Sequence, residues 1–264
     1  MKLYPLAFLA ILLGACSREE APDGEPGDSG PVDVVPEDVG GSPIVADDFE
    51  APTVASFWRE GSRRRYEAGA VAITDDLARS GSSCVRITCR EGDIEEIGSD
   101  GVAGERAELD SGKHEAVGHT MIYRFSLRIP SSFPIVDNRL VISQWKQIGL
   151  EGSPVIGQRF RKGRHYLTIR TLGTSRLADK RKFDLPELVP DRWHDLKYVI
   201  RFTPEKSGSV RVWMNGELVV DYKGRTASPD ADTRVYHKMG LYRDRWPDPM
   251  TIYFDDYALS RSSS

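Results

Sequence analysis

The 264-residue sequence predicts an all-β fold, a sandwich, jelly roll or barrel, on three observations. Ten or more short runs alternate apolar and polar residues between turn residues, as strands with one buried face do. Two of them, 209–215 and 217–222, meet at Asn215-Gly216, a two-residue hairpin signal because both turn positions want positive φ. No apolar period of 3.6 residues is sustained anywhere.

In chain order, Lys2 precedes an apolar run from Leu3 to Leu13 and then Leu13-Gly14-Ala15-Cys16. A basic start, an apolar run of that length and small residues before a cut describe a secretory leader rather than a membrane span. Cys16 in that setting resembles the lipidated first residue of a bacterial lipoprotein, against the competing reading of a plain signal peptide. Ser17 does not argue for retention in the inner membrane, so the expected place is the outer membrane or cell surface. Residues 17–44 are acidic and rich in Pro, Gly, Asp and Glu without period, which predicts a flexible tether. A domain over 45–264 follows.

Its strands are expected at 44–50, 70–75, 83–88, 105–109, 120–129, 139–148, 165–172, 194–202, 209–215, 217–222, 235–242 and 250–259. Pro130 and Pro134 close the fifth. Between Arg90 and Gly104 runs a loop rich in Gly, Asp and Glu. Cys84 and Cys89 are five apart in one strand and face opposite sides, so buried free thiols are expected rather than a disulfide.

Hydrophobic residues at 39% and charged residues at 29% are ordinary for a soluble globular chain. The net charge of −4 gives no support to nucleic-acid binding. Much of the acid lies in the front end, and 45–264 is close to neutral or slightly basic, which suits an anionic partner.

Three strands carry the chemistry. Residues two apart share a face, so Arg106 and Glu108 lie opposite Ala107 and Leu109. Gln144 and Lys146 lie on one side of Trp145, and Tyr236, Lys238 and Tyr242 lie opposite Met239 and Leu241. One face would be core and the other the floor of a polar cleft. Each motif alone reads as an ordinary ion pair or amphipathic strand; their conjunction and order do not.

That conjunction resembles the jelly-roll polysaccharide lyases. In alginate lyases of this kind an Arg-x-Glu-Leu strand, a Gln-x-His strand and a Tyr-x-Lys-x-Gly-x-Tyr strand line the cleft. Here they read Arg106-Ala107-Glu108-Leu109, Gln144-Trp145-Lys146 and Tyr236 through Tyr242, with Lys146 where the histidine would stand. Trp193-His194, the hairpin from Gly208 to Gly216, Gly240-Leu241-Tyr242-Arg243 and Tyr253-Phe254-Asp255-Asp256-Tyr257 are similar to the heparin lyase I-like and glucuronan lyase group. The resemblance covers about 48–260. It implies a concanavalin A-like β-jelly roll of two antiparallel sheets and a lyase acting on a uronate-containing polysaccharide.

The residues suit β-elimination. The C5 proton of a uronate becomes removable only when the adjacent carboxylate is neutralised. Arg106 offers a two-pronged donor, Gln144 a further hydrogen bond and Lys146 positive charge. Tyr236 is the expected base and acid, its charged form favoured by neighbours such as Lys238 or Arg106. Glu108, Lys238, Tyr242 and Arg243 are the expected substrate-binding set, with Glu108 orienting Arg106 and Tyr242 stacking on or bonding to a sugar.

Lys146 in place of the histidine favours elimination from one face of the ring, as in glucuronate or mannuronate, unless His237, His165 or His114 supplies a base. The basic residues Arg63 to Arg65 and Arg159 to Arg164 extend the site for a polyanion or form solvated faces. The rival function is non-catalytic carbohydrate binding. A glycoside hydrolase would want paired carboxylates on one strand face, which the loop run Asp93 to Asp100 does not supply. The elimination requires no cofactor. A structural calcium is a candidate at Asp48, Glu50 and Asp255, whose alternative is capping of strand ends. A monomer is expected, with membrane contact only through the lipid anchor.

Overall fold

A computed structural model describes residues 42–60, 68–93, 96–97, 103–150, 152–170 and 180–262, all within the compact unit Asp38–Ser264. The leader, Cys16, the tether up to residue 41, Arg63 to Arg65 and most of the acidic run 93–100 lie outside the described residues.

The strands begin with β1 (Val45–Asp47), β2 (Arg59–Glu60), β3 (Val71–Thr74), β4 (Cys84–Cys89), β5 (Glu96–Ile97) and β6 (Ala103–Asp110). Then come β7 (His114–Glu115), β8 (Thr120–Arg128), β9 (Leu140–Gln147), β10 (Ile156–Arg161), β11 (Arg164–Arg170) and β12 (Lys180–Asp184). The last are β13 (His194–Arg201), β14 (Ser209–Met214), β15 (Glu217–Lys223), β16 (Arg234–Asp244) and β17 (Met250–Arg261). No helix occurs among the described residues.

Two antiparallel sheets form the sandwich. One runs β15-β14-β13-β8-β17-β4-β3 with β1 on β17; the other runs β12-β11-β10-β9-β16-β6-β2 with β5 on β6 and β7 on β16. Consecutive segments repeatedly change sheet, so β16 and β17, neighbours in sequence, lie in different sheets. The hairpin between β14 and β15 has Asn215 at φ 52° and Gly216 at φ 85°, as a two-residue turn of that type requires. The opening strand is shorter than expected because Phe49 takes φ 56° and ends it.

The core lies between the inner faces. Tyr123, Phe125 and Tyr198 of one sheet meet Trp145 and His237 of the other, with Trp145 and His237 stacked at 4.5 Å. On β16 the residues Val235, His237, Met239, Leu241 and Arg243 are all buried on this side. Arg243 is buried without loss because its Nε reaches Glu105 Oε2 at 2.8 Å, both residues being fully covered. Its two Nη atoms donate to the carbonyls of Asp248 and Trp246. Cys84 and Cys89 are buried and free, and burial pushes both thiols up to about 12. They are packing residues.

Several strands fall outside the expected ones: β2, β7 and β12 in segments given no strand, and β5 in the loop expected between Arg90 and Gly104. Strand β10 lies in the basic segment, where Gly157, Arg159 and Arg161 alternate with Ile156, Gln158 and Phe160, so only two apolar side chains mark the run. Gly240 breaks the register between β16 and β9, which passes from Met239↔Ser143 to Tyr242↔Val141. Its φ of 134° and the closeness of the Ala107 carbonyl oxygen to where a Cβ would sit leave room for glycine alone. That bulge aims the residues on either side of it.

Candidate active site

The outer face of the second sheet gathers the polar residues of its three central strands. Strand pairing sets Lys238 directly beside Gln144 on β9 and Asp110 on β6, and sets Tyr236 beside Lys146. One bulge further along, Tyr242 sits beside Arg106. The expected set of Arg106, Glu108, Gln144, Lys146, Tyr236, Lys238 and Tyr242 is therefore brought together on one face. Gln144 and Lys238 are nearly covered, so the face is recessed.

Glu108 is the hub. Its side chain is 2% exposed, and Oε1 accepts from Gln144 Nε2 at 2.5 Å. Oε2 lies 3.5 Å from Arg106 Nη1 and 3.7 Å from Lys238 Nζ. A carboxylate so placed fixes the three donors around it. An amide carries two N–H donors, and Glu108 takes one of those on Gln144. Two ammonium groups and a guanidinium against Glu108 and Asp110 leave the face positive. Burial raises the Asp110 carboxyl above its ordinary value, which reduces its opposing charge.

Tyr242 is engaged by arginines. The Arg106 guanidinium carbon lies 3.8 Å from its ring centre and that of Arg139 lies 4.8 Å away, while its ring covers Gly104. The ring thereby holds both guanidiniums in place. Arg243, expected at the substrate, is corrected outright: it points into the core with Glu105. Arg139 is a site-face residue that sequence reasoning missed, held to Asp244 at 2.8 Å.

No histidine replaces the one missing at Lys146. His237 lies on the core side, with Nε2 2.7 Å from Ser143 Oγ, and burial lowers it to about 3. His165 is also buried, bonded to the Pro186 carbonyl and the Gln158 amide, and is lowered to about 4. His114 contacts the Ser111 carbonyl. The buried imidazoles have a consequence for stability. Both stay neutral when folded, whereas the unfolded chain takes up protons below the ordinary 6.5. Their stabilisation is thus complete above pH 6.5 and is lost as pH falls towards 4. Urea midpoints are expected to be lower at about pH 5 than at about pH 7.5, and the gap to shrink in His237→Asn; an unchanged gap in that variant would contradict the assignment.

The acids named for calcium each have protein partners. Glu50 accepts from Ser82 N, Ser83 N and Ser82 Oγ at 2.6 to 2.9 Å. Asp255 accepts from the backbone of Arg79, Ser80 and Asp256, and Asp48 from that of Glu50. The acids cap loops separately, and among the described residues no three His, Cys, Asp or Glu side chains could share a metal.

The described residues thus form an all-β sandwich with a recessed, cationic face built from three central strands. The chain belongs to the polysaccharide lyase family, whose model matches residues 50–258. Solved structures share the fold at low identity. The endo-β-1,4-glucuronan lyase of the fungus Trichoderma reesei matches with TM-score 0.62 and 16% identity over 78% of this chain and 94% of its own. Alginate lyase AlgAT5 of polysaccharide lyase family 7 gives 0.53 and 16% over 75% and 85%. The cellulose-induced protein Cip1 gives 0.53 and 14% over 82% and 96%. No curated protein matches in sequence. The protein is a polysaccharide lyase.

Proposed function

We propose that this lyase cleaves a uronate-containing anionic polysaccharide, glucuronan- or alginate-like, by β-elimination from one face of the sugar ring. The observation that carries this reading is the convergence of Arg106, Gln144, Lys238 and Tyr236 on one recessed face, with Glu108 tying the first three together. Arg106 and Gln144 hold the uronate carboxylate and stabilise the charge that develops on it. Tyr236, flanked by Lys146 across the strand pair and by Lys238 at 5.8 Å from its ring centre, takes the C5 proton as phenolate. The electron pair left at C5 forms the C4–C5 double bond as the C4–O bond breaks, and the tyrosine proton goes to the departing oxygen.

One group can act as base and acid only if proton and leaving group depart from the same side, which favours glucuronate or mannuronate. The placement of His237 and His165 on the core side supports this. A panel of glucuronan, alginate, hyaluronan and heparin, followed by ultraviolet absorbance of the unsaturated product, tests the substrate. Fastest growth on a polymer of glucuronate or mannuronate is expected; fastest growth on a polymer whose proton and leaving group lie on opposite faces would contradict it.

The proposal extends to the anchor: Cys16 is lipidated and the 17–44 tether holds the domain off an outer membrane or cell surface. Labelled fatty acid should enter the full chain and not its Cys16→Ser variant.

A further inference from the structure

One row of the same face crosses five strands, from Arg106 through Tyr242 and Val141 to Arg159 on β10 and on to Tyr166 of β11. The basic segment from Arg159 to Arg164 divides along it. Arg161 and Lys162 pair with Asp137, and Arg164 pairs with Asp184, all exposed and neutralised at the surface. Arg159 is different: it is largely covered and makes no ion pair among the described residues. Its Nε donates to Thr168 Oγ1 at 3.0 Å, and Arg139 is a neighbouring cation. Burial and Arg139 both act to lower its pKa, opposed only by Tyr166 and Tyr242.

The guanidinium lies over Gly157. A Cβ there would stand 3.3 Å from Nε and Nη2, so the glycine makes the space that the arginine occupies. Gly157 is paired directly with Gln144. A covered cation without a carboxylate costs stability, and it sits at the edge of the proposed catalytic residues.

We propose that Arg159 is a second carboxylate-binding residue, which receives the uronate next to the one held by Arg106 and Gln144. The inference rests on the polyuronate reading above. Arg106 and Arg159 start three strand spacings apart, about 14 Å, which a single carboxylate does not bridge. The bond to Thr168 orients the planar fork and leaves the Nη atoms to the ligand. Such a site selects polymers of contiguous uronates over those alternating uronate with a neutral sugar.

The test compares Arg159→Met and Arg159→Lys with the unaltered protein on glucuronan or polymannuronate, and again on hyaluronan. On the contiguous polymer, Arg159→Met should raise KM roughly ten- to a hundredfold with kcat within about threefold, and Arg159→Lys should fall between. Any cleavage of hyaluronan should be unaffected. The Met variant should melt no lower than the original, since it removes an uncompensated charge. Unchanged KM on contiguous uronates, or an equal loss of kcat and melting temperature, would overturn the proposal. Calorimetric binding of uronate oligomers to the Tyr236→Phe protein, with and without Arg159→Met, reads the subsite without turnover. Weaker binding on loss of Arg159 supports the subsite even where no polymer is cleaved, an outcome that would sink the lyase mechanism alone; equal binding rejects the subsite.

Discussion

Tyr236→Phe is expected to lower kcat by about 10²–10⁴-fold, the usual contribution of a positioned acid–base group, while KM changes little. The ring keeps its place between β9 and its own strand, and only the proton-carrying oxygen is lost. Tyr236 and Lys146 are cross-strand neighbours, so the substitution leaves the cation that faces the same space. Ultraviolet product growth under saturating polymer gives kcat, and thermal melting shows that the fold survives. A variant with at least half of the original kcat would remove Tyr236 from the mechanism, whatever the polymer.

Arg243→Met is expected to produce the largest loss of stability. Glu105, fully covered, would keep bonds from the Gly92 and Trp246 backbone but lose its only opposite charge among the described residues. Breaking such a buried pair from one side costs about 3–5 kcal/mol. For a domain of this size that lowers the melting temperature by about 10 °C. The double variant Glu105→Gln with Arg243→Met should recover much of the loss, because no unpaired charge remains. A single variant that melts within about 1 °C of the original would mean that the pair contributes nothing.

The three strands of the site were legible because period two needs no knowledge of partners. Tyr236, Lys238, Gly240 and Tyr242 share one parity, and Val235 to Leu241 carry the apolar other. The same parity assigned Arg243 to the core beside Met239 and Leu241, and Glu105 beside Ala107; the sequence held that signal, which charge obscured. Two matched charges on core parities of separate strands mark a buried pair. The ladder from Arg106 to Arg159 was not legible, since it depends on which strands neighbour one another, and pairings such as β9 with β16 join residues about ninety apart. Strands β10 and β12 escaped because their polar and basic residues leave few apolar positions to advertise the period.

The contacts of the candidate metal ligands were not legible either. Strand β1 pairs with β17, which brings their ends together. Glu50 and Asp255 each accept several hydrogen bonds from loop residues and Asp48 accepts one from the Glu50 backbone, contacts that a sequence pattern does not reveal. Tyr242 was placed on the correct face, but its ring contacts were set by Arg106 and by Arg139, an arginine at the start of β9 outside every motif.

The central claim is that the glycosidic bond breaks by elimination, and digestion in oxygen-labelled water tests it most directly. Elimination leaves the original glycosidic oxygen on the departing chain and draws no oxygen from solvent. Mass spectra of the fragments should therefore show an unsaturated sugar at the newly formed non-reducing ends and, at the reducing ends, no more label than anomeric exchange gives to preformed oligomers in the same water. Saturated fragments carrying solvent oxygen would instead mean hydrolysis, and the assignment of Tyr236, Arg106 and Gln144 to uronate elimination would be wrong.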